Sequence, residues 1–247
     1  MRYFLEFCYL GTAYNGFQIQ PNAPSVQAEI NRCISTILQE EILTAGSSRT
    51  DTGVHARHQA LHFDTTKAVP ENMVYKLNAL APNDISFLDI TRVEDDFHSR
   101  FAATFRAYEY VISRRKDPFL AEQSYPFWLE LDIDLMNKGA EIILAHTDFE
   151  AFSKVHTDVA TFDCAIEEAK WTVDGHLLKF NIRANRFLRG MVRAIVGTLL
   201  DVGQKKISPE DVKTILESKD RSNAGRSAPA KGLFLTEVGY PPIKEKS

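Results

Sequence analysis

Tyr3, Leu5, Phe7 and Tyr9 fall on one face of an extended segment, so residues 2–9 are expected to form a strand. A glycine-bearing loop follows. After Pro24, Ser25 can cap a helix whose apolar positions Val26, Ile30, Cys33, Ile34, Ile37 and Leu38 recur at helical spacing. Residues 46–53 are polar, short-chained and bounded by glycines, which predicts an ordered loop. Strand-like alternation resumes at 60–64, a helix is expected over 70–80 with Pro82 closing it, and another strand over 85–92. The first half therefore reads β-α-β-β-α-β.

The second half repeats that order. A strand is expected over 105–112 and a helix over 133–145. Residues 164–173 and 176–184 should pair as a hairpin around Asp174-Gly175, a favoured turn pair. A long helix is expected over 186–202, stopped by Gly203. Ser208-Pro209 then opens a short helix, with serine as cap and proline in the first turn, and 232–240 forms the last strand.

Two halves of similar order predict an α+β protein, with helices on one face of a mainly antiparallel sheet in each half. With no Gly/Ser-rich linker, the division is expected near residues 95–105, giving subdomains 1–100 and 101–247.

Composition narrows the class. The chain has 247 residues, 44% hydrophobic and 25% charged, enough to bury a sizeable core. No stretch approaches the ~20 apolar residues of a membrane span. The first nine residues carry Glu6 in mid-strand and do not read as a signal peptide. Cys8, Cys33 and Cys164 are scattered without CxxC spacing, which points to reduced thiols and a cytoplasmic protein. The formal charge of −4 gives no hint of nucleic acid, but arginines cluster at Arg114 and Arg115, at Arg183, Arg186, Arg189 and Arg193, and at Arg221 and Arg226.

Several residues are candidates for chemistry. Asp51 sits in the polar loop beside Arg49, among small residues that let a ligand approach; its carboxylate can be nucleophile or base, or simply cap the turn. His55, His58 and His62 follow, but strand alternation turns His62 away from His55, which argues against a metal site with Asp51. Tyr108 and Tyr110 share a strand face, where they can stack on a flat ligand or pack a core. On the expected helix over 186–202, Arg189 and Arg193 project together, one turn apart, beside small residues. Walker, Rossmann and nucleophile-elbow signatures are absent, so this reading reaches an Asp-Arg-Tyr site without naming a reaction.

The motifs together resemble the tRNA pseudouridine synthase A family. Ser48 to Ala56 is similar to the family's G-R-T-D-A-G-V-H-A loop, whose aspartate is catalytic, and Tyr9 to Gln18 to its Y-D-G-T-x-Y-x-G-F/W-Q opening. Ser25-Val26-Gln27 resembles T-V-Q, Phe97 to Phe101 resembles F-H-A-R-F, and Arg106 to Tyr110 resembles R-x-Y-x-Y. His146 to Phe149 resembles H-D-F with one residue added, Phe187 to Gly197 resembles F-L-x-x-M-V-R-x-I-V-G, and Gly232 to Leu235 completes the set. Ser48, Thr52 and Ala107 depart from the family's Gly, Ala and Arg.

The resemblance implies two ferredoxin-like (RRM-like) halves whose sheets join around a central active-site cleft. It implies an isomerase that converts uridine to pseudouridine at tRNA positions 38, 39 and 40, with no metal or organic cofactor, acting as a homodimer on tRNA. Asp51 is then the catalytic carboxylate, Arg193 its charge-assisted partner, and Tyr108 the ring that stacks on the uracil and helps remove the C5 proton. Arg49 holds the flipped nucleotide open, Leu233 lines the pocket, and Arg189, with the basic residues near Arg114 and Arg221, meets phosphates. The alternative is a non-catalytic RNA-binding protein on the same fold.

Overall fold

The computed structural model describes residues 1–154 and 159–243. It separates into two units, Met1–Thr104 with the chain from Leu235 onward, and Phe105–Phe234.

In the first unit the order is β1 (Arg2–Tyr9), α1 (Val26–Leu38), β2 (Thr44–Gly46), β3 (His55–Asp64), α2 (Met73–Leu80) and β4 (Ile85–Val93), the β-α-β-β-α-β pattern expected from the sequence. β1 is central, antiparallel to β3 with Leu5 opposite Leu61, and to β4 with Leu5 opposite Ile90. β2 pairs antiparallel with the end of β3. Helix α1 starts where the Ser25 side chain accepts the Ala28 N–H, and it buries Val26, Ile30, Cys33, Ile34 and Leu38.

Phe4, which strict alternation aims away from that core, is nevertheless buried. The second face of the sheet is covered here by Phe97, Tyr240 and Ile243, and the Phe4 ring meets Tyr240 edge-on at 4.9 Å. Arg2 ties the same region down with two bonds to Asp64 and a third to the Phe97 carbonyl.

The second unit contains β5 (Phe105–Ser113), β6 (Tyr125–Pro126), α3 (Ile133–Leu144), β7 (Ile166–Asp174), β8 (Leu177–Ala184), α4 (Met191–Gly203) and α5 (Pro209–Ser218). β8 lies between β5 and β7, antiparallel to both, and β6 is a short parallel addition to β5. The expected hairpin forms, with Gly175 at a left-handed φ of +58° in its turn. Helix α3 packs on β7, where Asn137 exchanges two hydrogen bonds with the Trp171 backbone. Ser208 and Asp211 form a reciprocal capping box on α5. A last strand, β9 (Leu233–Gly239), straddles the division between the units.

One expected element begins later than its pattern suggests. The apolar stripe from Phe187 reads as helix, but α4 starts at Met191, because Gly190 takes φ +74° and interrupts the helical backbone. Arg189 therefore lies in a loop, and only Arg193 is on the helix, in its first turn. The two arginines do not form the one-turn pair expected from the sequence.

Among the described residues no helix is long and apolar enough to cross a membrane. All three cysteines are unpaired, and burial pushes the Cys164 thiol up to about 11.

Candidate active site

The site residues identified in the sequence divide between the two units. Asp51 and Arg49 belong to the first, Tyr108, Arg189, Arg193 and Leu233 to the second.

The Asp51 loop joins β2 to β3, and the segment between β1 and α1 cradles it. Phe17 N–H donates to the Thr50 carbonyl at 3.2 Å, Gly53 N–H to the Tyr14 carbonyl at 3.4 Å, and the Tyr9 and Thr50 hydroxyls bond at 2.8 Å. Within the loop, Val54 N–H closes a turn onto the Asp51 carbonyl at 3.1 Å. The glycines of the opening motif have a steric reason. A Cβ on Gly11 would lie 2.0 Å from the Val54 carbonyl oxygen, and Gly16, at φ +95°, would place one 2.7 Å from the Thr50 oxygen. Gln27, two residues into α1 from its cap, is a second brace: it accepts from Ile19 N–H and donates to the Thr44 carbonyl. At the loop's start, the Ser47 hydroxyl donates to the buried Gln59 side chain. Asp51 is thereby half-buried on a backbone held from several directions, while Arg49 beside it is exposed.

The Tyr9–Thr50 bond is neutral and buried, so losing it should cost about 1 kcal/mol. Tyr9→Phe is expected to lower stability by about that amount in a denaturant titration and to reduce turnover several-fold at unchanged KM. Unchanged turnover would show that the loop is held without it.

The histidines that follow Asp51 are structural. His55 is buried and its Nδ1 accepts the Gly11 N–H at 2.9 Å. His58 Nδ1 accepts the Val238 N–H, so Nε2 carries the proton and donates to Glu6 at 2.8 Å. His62 Nδ1 accepts the Ser99 N–H at 3.2 Å, with the His98 ring 4.6 Å away. Among the described residues no group of three or more His, Cys, Asp or Glu side chains is placed to hold a metal.

Burial, helped by Arg2 and His98, pulls His62 down to about 4. A depressed folded-state value favours protonation of the unfolded chain, so this contribution to stability is complete above about pH 6.5 and lost towards pH 4. The melting temperature of His62→Gln should fall less steeply across that window than that of the wild type; parallel curves would assign the acid sensitivity elsewhere.

In the second unit, Tyr108 lies opposite Ile182 on β5, largely buried, its ring edge-on to Phe187 at 5.2 Å. Phe187, which heads the motif over 187–197 and falls within the helix expected over 186–202, is here a packing partner of Tyr108. Tyr110 shares the face and donates to the Pro229 carbonyl at 2.8 Å. Arg193 Nε donates to the Ala228 carbonyl at 2.6 Å, and Ala228 N–H returns a bond to the Arg193 carbonyl at 2.9 Å. Arg189 is exposed, its carbonyl accepting from Lys154 N–H, and Leu233 is buried at the start of β9.

A half-buried carboxylate on a pinned loop can serve as nucleophile or base, and a guanidinium oriented through Nε offers a planar fork to an anion. Comparison with known proteins attaches these features to a family. The profile of the family described as tRNA pseudouridine synthase matches residues 7–102 and 145–241, segments that contain Arg49, Asp51, Arg189, Arg193 and Leu233, with Tyr108 lying between them. The tRNA pseudouridine synthase A of Porphyromonas gingivalis is 45% identical, over 97% of this chain and 97% of its own. Those of Parabacteroides distasonis and Bacillus subtilis are 42% and 39% identical, each over 97% of this chain and 96% and 99% of their own. Similarity of this extent, running through both units and through the loop that carries Asp51, means that the chain belongs to the tRNA pseudouridine synthase family.

Proposed function

We propose that the protein isomerises uridine to pseudouridine at positions 38, 39 and 40 of the tRNA anticodon stem-loop, with Asp51 as the catalytic carboxylate. The observation that carries this reading is Asp51 itself, held on a braced loop in a chain similar over nearly its whole length to tRNA pseudouridine synthases A.

The reaction breaks the N1–C1′ bond, turns the uracil, joins C5 to C1′, and moves a proton from C5 while N1 gains one. Asp51 starts it at the sugar or the base, by attack or by proton removal. Arg193 is the counter-charge to that carboxylate. Tyr108 stacks on the uracil and takes part in loss of the C5 proton, Arg49 keeps the flipped nucleotide out of the stack, and Leu233 lines its pocket. Arg189, exposed on its loop, meets phosphate, so tRNA affinity falls as salt rises. The β-α-β-β-α-β order of the first unit, and the β5-α3-β7-β8-α4 order within the second, support reading each half as ferredoxin-like. The active species is a homodimer in the cytoplasm and requires no metal.

The test is tritium release from tRNA transcripts labelled at uracil C5, with EDTA present. Release is expected from transcripts with uridine at 38, 39 or 40 and not from those with cytidine at all three. Tight tRNA binding without release from any transcript would overturn the reading in favour of a non-catalytic RNA-binding protein.

A further inference from the structure

Arg221 opens a segment, 221–229, that leaves α5 and lies against α4. Its guanidinium is engaged by the segment itself. Nη1 donates to the Ala224 and Gly225 carbonyls at 3.3 and 3.2 Å, and Nη2 to the Ser227 hydroxyl at 3.0 Å. Those contacts gather the segment into a compact turn, and the turn is seated on α4 at consecutive points. Gly225 N–H donates to the Thr198 hydroxyl at 2.9 Å, and the Arg226 carbonyl oxygen fills the space where a Cβ on Gly197 would stand, 1.7 Å away. Two residues further on, the Ala228 peptide takes hold of Arg193 from both sides, its N–H on the main-chain carbonyl and its C=O on Nε.

The bond to Nε sets the plane of a guanidinium in a way that contacts to the aliphatic stem do not. A fork held at Nε presents its terminal nitrogens in one orientation, the property that distinguishes arginine from lysine at an anion site. The position of the Ala228 carbonyl follows from where the segment sits, and Arg221 is the side chain that bonds three of the residues before it. Pro229, next in the chain, is held by Tyr110 on the same strand face as Tyr108.

We propose that Arg221 is a positioning residue for Arg193: it closes the 221–229 segment so that the Ala228 carbonyl orients the Arg193 guanidinium. This replaces the phosphate contact that the sequence suggested for the region near Arg221, and it rests on the role assigned to Arg193 above.

The two roles differ in what they move. A phosphate contact acts on binding, so its loss raises KM and lowers the salt slope of tRNA affinity by about one. A positioning residue acts on turnover. Misplacing a group by about 1 Å costs on the order of 100-fold, so Arg221→Gln is expected to lower kcat about 10- to 100-fold, with KM and salt slope unchanged. In an Arg193→Lys background, Arg221→Gln should have little further effect, because the group it positions is gone. Ser227→Ala removes one exposed partner at little risk to folding and is expected to lower kcat about two- to fivefold. The Arg193 Nε–H resonance, identified by its absence in Arg193→Lys, should be protected from solvent exchange in the wild type and lose that protection in Ser227→Ala.

Wild-type kcat in Arg221→Gln, a raised KM with a reduced salt slope, or effects that multiply in the double variant would each overturn the assignment. So would an unprotected Nε–H in the wild type. Failure of the underlying reading is distinguishable: Arg193→Lys would then keep wild-type kcat, whatever Arg221→Gln does.

Discussion

Asp51→Asn is expected to abolish isomerisation while leaving a folded protein that binds tRNA. The substitution removes a charge and almost no volume. The backbone bonds of Thr50, Asp51 and Gly53 and the Thr50 hydroxyl bond that brace the loop are all left in place. Losing the central group of a catalytic set typically costs at least about 10⁴-fold in kcat, so tritium release should fall below detection. Filter-binding affinity for tRNA should stay within a few-fold of wild type, and the protein should stay folded, its melting temperature lowered only by the loss of the counter-charge proposed for Arg193. Asp51→Glu keeps the charge but moves it by one methylene, and a loss of about 100-fold is expected from misplacement alone. Wild-type turnover in Asp51→Asn would remove Asp51 from the chemistry.

Gly197→Ala is the second large effect, and its sign depends on tertiary structure. In an isolated helix, replacing glycine with alanine stabilises by about 1 kcal/mol. In α4 the new Cβ would lie 1.7 Å from the Arg226 carbonyl oxygen. That carbonyl cannot retreat freely, because Gly225 is bonded to Thr198 and Ala228 to Arg193 on either side of it. Displacing the segment breaks one or both bonds and shifts the carbonyl that holds Arg193 Nε. A net loss of about 2–4 kcal/mol is expected, or roughly 5–10 °C in melting temperature for a chain of this size, together with a fall in kcat. Gly175→Ala is the contrasting variant. It meets nothing within 4 Å, and its φ of +58° should cost about 1 kcal/mol with activity unchanged. Equal, mild effects at both positions would show that the segment over α4 gives way easily.

Much of the local structure was legible because its causes are local. The period-two pattern of residues 2–9, the Ser25 cap, the turn glycine at 175 and the Ser208-Pro209 helix start all appear where the sequence places them. The start of α4 was not, because the apolar stripe continues through Phe187 and Leu188, which are packed by tertiary contacts such as the Tyr108 ring instead of by helix. At the site, the residues alone offered an aspartate and an arginine in a polar loop, a tyrosine pair on one strand face and two arginines beyond, with no reaction attached; the role expected of Asp51 came from the resemblance in motif order. The histidine partners Gly11, Val238 and Ser99 are 44, 180 and 37 residues away in sequence, beyond the reach of any spacing rule.

By itself the sequence determined the element order, the family resemblance and the identity of the polar loop, since hydrophobic periodicity, capping and motif order are carried by neighbouring residues. Tertiary structure alone decided what Gly11, Gly16, Gly197 and Arg221 are for. Gly11, Gly16 and Gly197 are required by carbonyl oxygens brought against them from distant parts of the chain, and Arg221 is occupied by a turn that only exists once the segment lies on α4. Close approach of backbone to backbone depends on how elements pack, and that information is spread over residues far apart in sequence.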